Sequence, residues 1–263
     1  MGQFQNKVVW ITGASSGIGE AVAKAFNKAG ATVIISSRRG EELERVKQSC
    51  SNPSNVYVFP LDLTNTSSIQ QVTSEVLSKF EIDILFNNGG ISQRSLTVET
   101  TVETDRKIFE VNFFGHVQIT KAILPQMLKR GSGRIVTISS LTGKWGFYLR
   151  SAYAASKHAL HGFFDSLRME VEDQGIGITL ITPGFISTEI SKNAIDRNGA
   201  PTGEMDNNQA QGISADECAN QILAGIAASK SEFGVGGKEL RGLFLHRYFP
   251  KLFRKILKKT AAR

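Results

Sequence analysis

Along this chain, short runs of β-branched and aliphatic residues alternate with longer segments in which apolar positions recur every three or four residues. The short runs fall at 8–12, 32–36, 56–59, 82–86, 134–139 and 178–182. Such brief, continuous apolar stretches suit strands buried on both faces. Helical periodicity begins near Gly17, Glu41, Thr66, Thr101, Ser151 and, after a long gap, Ser214. Strands covered on both sides and joined by helices predict a parallel sheet with right-handed crossovers. The expected architecture is therefore a doubly wound α/β fold of the Rossmann type, helices on both faces. No internal repeat or low-complexity linker interrupts the pattern, so one domain is expected over 1–263. The segment 186–212 breaks the alternation: it is polar and carries Gly199, Pro201, Gly203 and Gly212. A loop of that length in a compact domain is expected to act as a substrate lid.

Composition narrows the class. With 263 residues, 41% apolar and 21% charged, the chain reads as a folded globular protein, neither fibrous nor disordered. No uninterrupted apolar run reaches the length of a membrane span. The start runs directly into a strand-like segment with no leader pattern, which predicts a cytoplasmic chain. Cys50 and Cys218 lie far apart, outside any CxxC spacing, and His158 and His161 have no third partner in pattern. Reduced structural thiols and no metal are expected. The net charge of +7 is uneven: from residue 238 onward there are nine Lys or Arg against one Glu, leaving the preceding chain at −1. A nucleic-acid-binding face over the body is thereby disfavoured.

The first strand candidate runs into Thr12-Gly-Ala-Ser-Ser-Gly-Ile-Gly19 and then into a helix. A glycine-rich turn at that place lets a pyrophosphate approach backbone N–H groups at a helix N-terminus. Gly13 permits the turn, Gly17 the close approach and Gly19 the helix–strand contact, with Ser15, Ser16 and Ile18 lining it. The second strand ends at Ser37-Arg38-Arg39, where an NAD site would place a carboxylate for the ribose 2′-hydroxyl. A missing acid followed by two guanidinium groups favours a 2′-phosphate, hence NADP(H). The plainer alternative is that Arg38 and Arg39 are loop charges pairing with Glu41 and Glu42.

Tyr153 and Lys157 stand one helical turn apart on one face. A phenol with a pKa near 10 is a poor acid–base group at neutral pH, and a neighbouring ammonium favours its ionised form. Together, TGxxxGxG at 12–19, Asn87-Asn-Gly-Gly90, Asn112 and Tyr153-x-x-x-Lys157 resemble the short-chain dehydrogenase/reductase family, over about residues 6–190. Gly89 stands where that family usually has alanine.

The resemblance implies specific roles. Ser140, thirteen residues before Tyr153, would hydrogen-bond the substrate oxygen, Tyr153 would exchange the proton, and Lys157 would hold the nicotinamide ribose. Asn112 would hold a water linking Lys157 to solvent. Asp62 and Leu63 would contact the adenine, and Asn88 and Gly90 would flank the adenosine ribose. Pro183, Gly184, Ile186 and Thr188 would cup the nicotinamide. Ser139 and Tyr148 are the expected non-participants.

The end of the chain adds a basic amphipathic extension over 240–263. Phe249, Leu252, Phe253, Ile256 and Leu257 form one stripe, opposite Lys251, Arg254, Lys255, Lys258 and Lys259. Two readings stand: peripheral membrane contact through 249–259, or packing on the protein itself. The extension is similar to the 11β-hydroxysteroid dehydrogenase-like branch of the family. The function expected is NADP(H)-dependent interconversion of a hydrophobic ketone or aldehyde with its alcohol, in a homodimer or homotetramer. A 3-oxoacyl-carrier-protein reductase and a non-catalytic NADP(H)-binding regulatory or membrane-tethered protein are the alternatives.

Overall fold

A computed structural model describes residues 2–261. The first half alternates β1 (Val8–Thr12), α1 (Gly17–Lys28), β2 (Thr32–Ser36), α2 (Gly40–Gln48), β3 (Val56–Val58), α3 (Thr66–Lys79) and β4 (Ile84–Asn87). It continues through α4 (Val102–Phe109), a π turn (Glu110–Phe114), α5 (Gly115–Arg130), β5 (Gly133–Ile138), α6 (Ser151–Val171) and β6 (Ile176–Pro183). Then come β7 (Ile186–Ser187), α7 (Asn207–Ala210), β8 (Ile213–Ser214), α8 (Ala215–Ala227), β9 (Glu232–Val235), α9 (Arg241–Tyr248) and α10 (Pro250–Ala261).

Seven of these strands pair in parallel in the order β3-β2-β1-β4-β5-β6-β9. Successive side chains on each strand point to opposite faces. Val9, Ile11, Val33, Ile35, Phe86, Val136 and Ile181 pack under α1 and α8. Trp10, Ile34, Leu85, Ile135, Ile178 and Leu180 pack under α3, α5 and α6. The chain winds outward from β1 in one direction and from β4 in the other, so the strand order reverses between them. Open α/β sheets bind ligands at the carboxyl ends of the strands at such a reversal.

Six strands match the expected alternation, with ends displaced by up to two residues. The edge strand β9 was not anticipated: Glu232-Phe-Gly-Val235 is short, carries a glycine and has no apolar run. The segment 186–212 is also more ordered than a polar loop. Ile186, Ala194 and Ile195 are buried, β7 pairs with β8, and Ile195 bridges to Gln93 and Pro201. It is a docked strap. Among the described residues no helix is long and apolar enough to cross a membrane. Cys50 and Cys218 are buried free thiols.

Candidate active site

A cavity of about 870 Å³ opens along the carboxyl ends of β1, β2, β4, β5 and β6. Its nucleotide-side wall is the glycine turn. Gly13 and Gly17 take φ of +65° and +58°, the left-handed region that glycine enters without a Cβ clash. A Cβ on Gly19 would lie 2.3 Å from the Gly13 carbonyl oxygen, so nothing larger fits. Ser16 is the N-cap of α1, yet its side chain makes no capping bond. The first-turn N–H groups are thus left for an external anion. These features fit a bound pyrophosphate.

The turn is tied to its neighbours. The Asn88 side chain donates to the carbonyls of Thr12 and Gly13, both at 3.1 Å, and Thr12 Oγ1 accepts from the Asn88 and Gly89 N–H groups. Asn88 thereby holds the glycine turn, and it lines the cavity beside it. Gly89 also has a reason: a Cβ there would stand 2.5 Å from Leu63 Cδ1. Asp62 accepts from the Thr64 N–H and hydroxyl, fixing the turn after β3 on the cavity wall.

The arginines do not pair with Glu41 and Glu42. Glu42 is bound by Arg45, and Arg39 donates to the hydroxyls of Ser15 at 2.9 Å and Ser16 at 3.2 Å. Arg38 lines the cavity, exposed beside Ser37.

The catalytic candidates meet at the middle of the cavity. On α6 the buried positions Tyr153, Lys157, Leu160, Phe164, Leu167 and Val171 form one stripe, so the pair occupies core-facing places where aliphatic residues follow. The Lys157 ammonium lies 5.9 Å from the Tyr153 ring centroid and donates to the Ile138 carbonyl at 2.9 Å. Burial lowers its pKa to about 8. Tyr153 behaves differently from expectation: burial is the largest influence and raises its pKa, while Ser140 and Arg150 pull it down. The expected lowering by Lys157 is not among these influences.

Ser140, at the end of β5, accepts from the N–H and hydroxyl of Thr142, which leaves its own O–H to donate toward the phenol. Ser139 points into the protein instead, to His161 at 2.9 Å, and Tyr148 is 54% exposed, away from the pair. Asn112 sits in the π turn, a local widening of the helix that periodicity does not reveal. Its side chain accepts from the Ile91 N–H and donates to the Ile91 carbonyl and Ser156 hydroxyl. It fixes the wall beside Lys157.

From the last residue of β6 onward, Pro183, Gly184, Ile186 and Thr188 line the cavity, and Thr188 reaches back to Gly17. Glu239, which no sequence signal marked, accepts from the Phe185 N–H at 2.9 Å and fills the space against Gly184. The far end is apolar, with Leu141, Trp145, Phe147, Leu245, Phe253 and Leu257 among its walls. Phe253 stacks edge-on to Trp145 at 4.8 Å, so one side of the tail stripe packs on the protein.

The short chain dehydrogenase family model matches residues 7–199, and the chain belongs to that family of oxidoreductases. It is 42% identical over 268 residues to a dehydrogenase/reductase SDR family protein 7-like from Drosophila melanogaster, covering 99% of this chain and 82% of that protein. A short-chain dehydrogenase structure from Streptomyces avermitilis aligns with a TM-score of 0.82 and 31% identity, covering 97% of this chain and 99% of that one. Another, from Sphingobium yanoikuyae in complex with NADPH, aligns at 0.76 and 25%, covering 87% of each.

Proposed function

We propose that this protein is an NADP(H)-dependent carbonyl reductase or alcohol dehydrogenase acting on hydrophobic ketones, aldehydes or alcohols, with Tyr153 as the acid–base group. The observation that carries this reading is the Ser140–Tyr153–Lys157 cluster, placed where the arginine-bearing end of one cavity meets its apolar end. Arg38 and Arg39 would hold a 2′-phosphate, as charge-assisted bonds to phosphate require. The solved neighbours hold NAD in one case and NADP+ or NADPH in others, so the choice rests on these two arginines.

Reduction of a carbonyl builds negative charge on oxygen, which needs a donor and a proton source at that atom. The dihydronicotinamide of the bound nucleotide would supply the hydrogen and electron pair to the carbonyl carbon. With substrate bound, Ser140, its acceptor sites taken by Thr142, would turn its one O–H from the phenol to the substrate oxygen. Tyr153 gives its proton, and the Arg150 charge favours the phenolate left behind, while Lys157 lies one helical turn away, 5.9 Å from the ring. Leu141, Trp145 and Phe147 exclude water from the reacting end.

Replacing Tyr153 by Phe is expected to lower NADPH-dependent reduction of a ketone panel about 10²- to 10⁴-fold while NADPH binding by fluorescence titration is unchanged. Retained turnover would remove Tyr153 from the chemistry. Equal wild-type affinity for NADH in that titration would remove the 2′-phosphate reading.

The reading extends to the tail. Phe253 is buried, but Phe249 and Leu252 are each 51% exposed beside Lys251, Arg254 and Lys255, a pattern that suits an anionic lipid surface. It also includes self-association, for which exposed Val102, Phe114 and Met169 supply apolar surface; light scattering would return a dimer or tetramer mass.

A further inference from the structure

Arg150 immediately precedes α6, and as its N-cap residue it offers the helix no side-chain cap. The missing cap comes from the loop after β4. Gln93, fully buried, accepts through Oε1 from the N–H groups of Ala152 at 2.9 Å and Tyr153 at 3.2 Å. Its amide donates to the hydroxyls of Ser95 and Thr100, so the side chain is held at both ends. The same loop carries the strap: the Arg94 N–H donates to Ile195, and the Ile195 N–H donates to Ser92, both at 2.9 Å. Arg150 closes this circuit. Its guanidinium donates to the Gln93 carbonyl and reaches Asp206 of the strap at 3.4 Å, and Arg94 reaches the same Asp206 oxygen at 3.3 Å. Arg94 has a second carboxylate in Glu204 at 2.9 Å, whereas Asp206 is the carboxylate that Arg150 meets.

We propose that Arg150 is a positioning residue for Tyr153, held by Gln93 on one side and by Asp206 on the other, so that docking of the strap sets how much positive charge faces the phenol. This inference rests on the reading of Tyr153 as the acid–base group. With Asp206 engaged, part of the Arg150 charge is offset. With the strap lifted, the guanidinium faces the phenol uncompensated. Lys157 lies on the phenol's own helix, and Arg94 from the β4 loop shares Asp206 with Arg150. The charged groups that line the same cavity are Lys107 from α4, Glu189 of the strap, Lys238, Glu239 and Arg241 before and within α9, and Arg38, Arg39 and Asp62 at its glycine-turn end. Of these the interactions with Tyr153 are dominated by burial, Ser140 and Arg150.

The test uses substitutions with opposite expected signs. In Arg150→Met the phenol loses a positive neighbour, and its titration is expected to move up. In Asp206→Asn the offset is lost and the titration is expected to move down. Tyrosinate absorbance, taken as the difference between each variant and its Tyr153→Phe partner, reads both shifts without substrate or turnover. Hydrogen exchange over 186–212 is expected to speed up in Asp206→Asn. Arg150→Lys keeps the charge but not the two-ended bridge. It should titrate at or below wild type, in the direction of Asp206→Asn, while the strap exchanges faster, which guards against a variant that merely folds badly. Shifts of the same sign in Arg150→Met and Asp206→Asn, or none, would overturn the proposal. So would an Arg150→Lys titration displaced as far as that of Arg150→Met. Opposite shifts in a protein that reduces no carbonyl would leave the latch standing and remove the enzymatic reading instead.

Discussion

At the nucleotide end of the cavity the contacts come from consecutive backbone: Thr12 to Gly19 form one turn, and Asn88 ties it to the next strand. At the other end Trp145, Arg150, Asp206, Glu239 and Phe253 arrive from separate elements, with Gln93 behind Arg150, and side chains do the holding. A backbone site tolerates no added atom, because its parts cannot rotate away. A side-chain site yields more readily, because rotamers can shift.

That contrast is open to a paired test. The Cβ of Gly19→Ala would sit 2.3 Å from the Gly13 carbonyl oxygen and 2.6 Å from Asn88 Nδ2. Nucleotide binding is expected to be abolished, with a loss of about 1–3 kcal/mol in stability, read by fluorescence titration and thermal unfolding. At the other end, the nearest atoms to the Cβ of Gly242→Ala would be Trp145 Cη2 at 3.2 Å and Trp145 Cζ2 and Phe253 Cε2 at 3.5 Å, side-chain atoms that can give. It should leave nucleotide affinity unchanged. Comparable damage from both would erase the distinction.

The same contrast explains what could be read from the chain. A phosphate turn is local, so its residue types and spacing appear together in Thr12–Gly19, as does the helical spacing of Tyr153 and Lys157. Six of the seven main strands were legible because burial on both faces leaves a continuous apolar run. β9 was not, since an edge strand with a glycine needs no such run. Gln93, Arg150 and Glu239 escaped notice for another reason: each works through a partner far away in sequence, and no spacing encodes that. The π turn at Asn112 and the burial that raises the Tyr153 pKa are likewise tertiary facts. In 186–212 the polar composition concealed Ile186, Ala194 and Ile195, which dock the strap.

The tail extends the difference to the outer rim. Phe253 anchors α10 on Trp145, which leaves Phe249 and Leu252 at the basic surface beside the apolar end of the cavity. Replacing both by Glu removes apolar area that would enter a lipid surface and adds like charge to the anionic headgroups. Co-sedimentation with vesicles containing phosphatidylserine is expected to fall about a hundredfold, with thermal stability near that of the parent, since neither side chain is buried. Unchanged binding would assign the exposed stripe to another protein chain, and the nucleotide end would then be no less accessible to membrane than the substrate end.

His116 on α5 lies where the two halves meet, and it carries the smallest expected effect. Its Nε2 is 2.6 Å from the Gly89 carbonyl, its Nδ1 is buried without a partner, and burial together with the Lys157 charge lowers its pKa to about 3. The folded state therefore holds the ring neutral, donating through Nε2, while the unfolded chain binds a proton near the ordinary histidine pKa of about 6.5. A depressed folded pKa means that the unfolded state takes up more protons as the pH falls below that value, so stability is progressively lost from there toward pH 3. At pH 5 the cost is about 2 kcal/mol; at pH 7 it is close to zero. His116→Gln keeps a donor for the Gly89 carbonyl without a titrating ring. Urea midpoints for this variant should match wild type at pH 7 and exceed it at pH 5. His161, lowered to about 4, is present in both proteins and cancels in the comparison. Parallel losses from pH 7 to pH 5 would mean that the ring is reached by water, and with it the wall between Gly89 and Lys157.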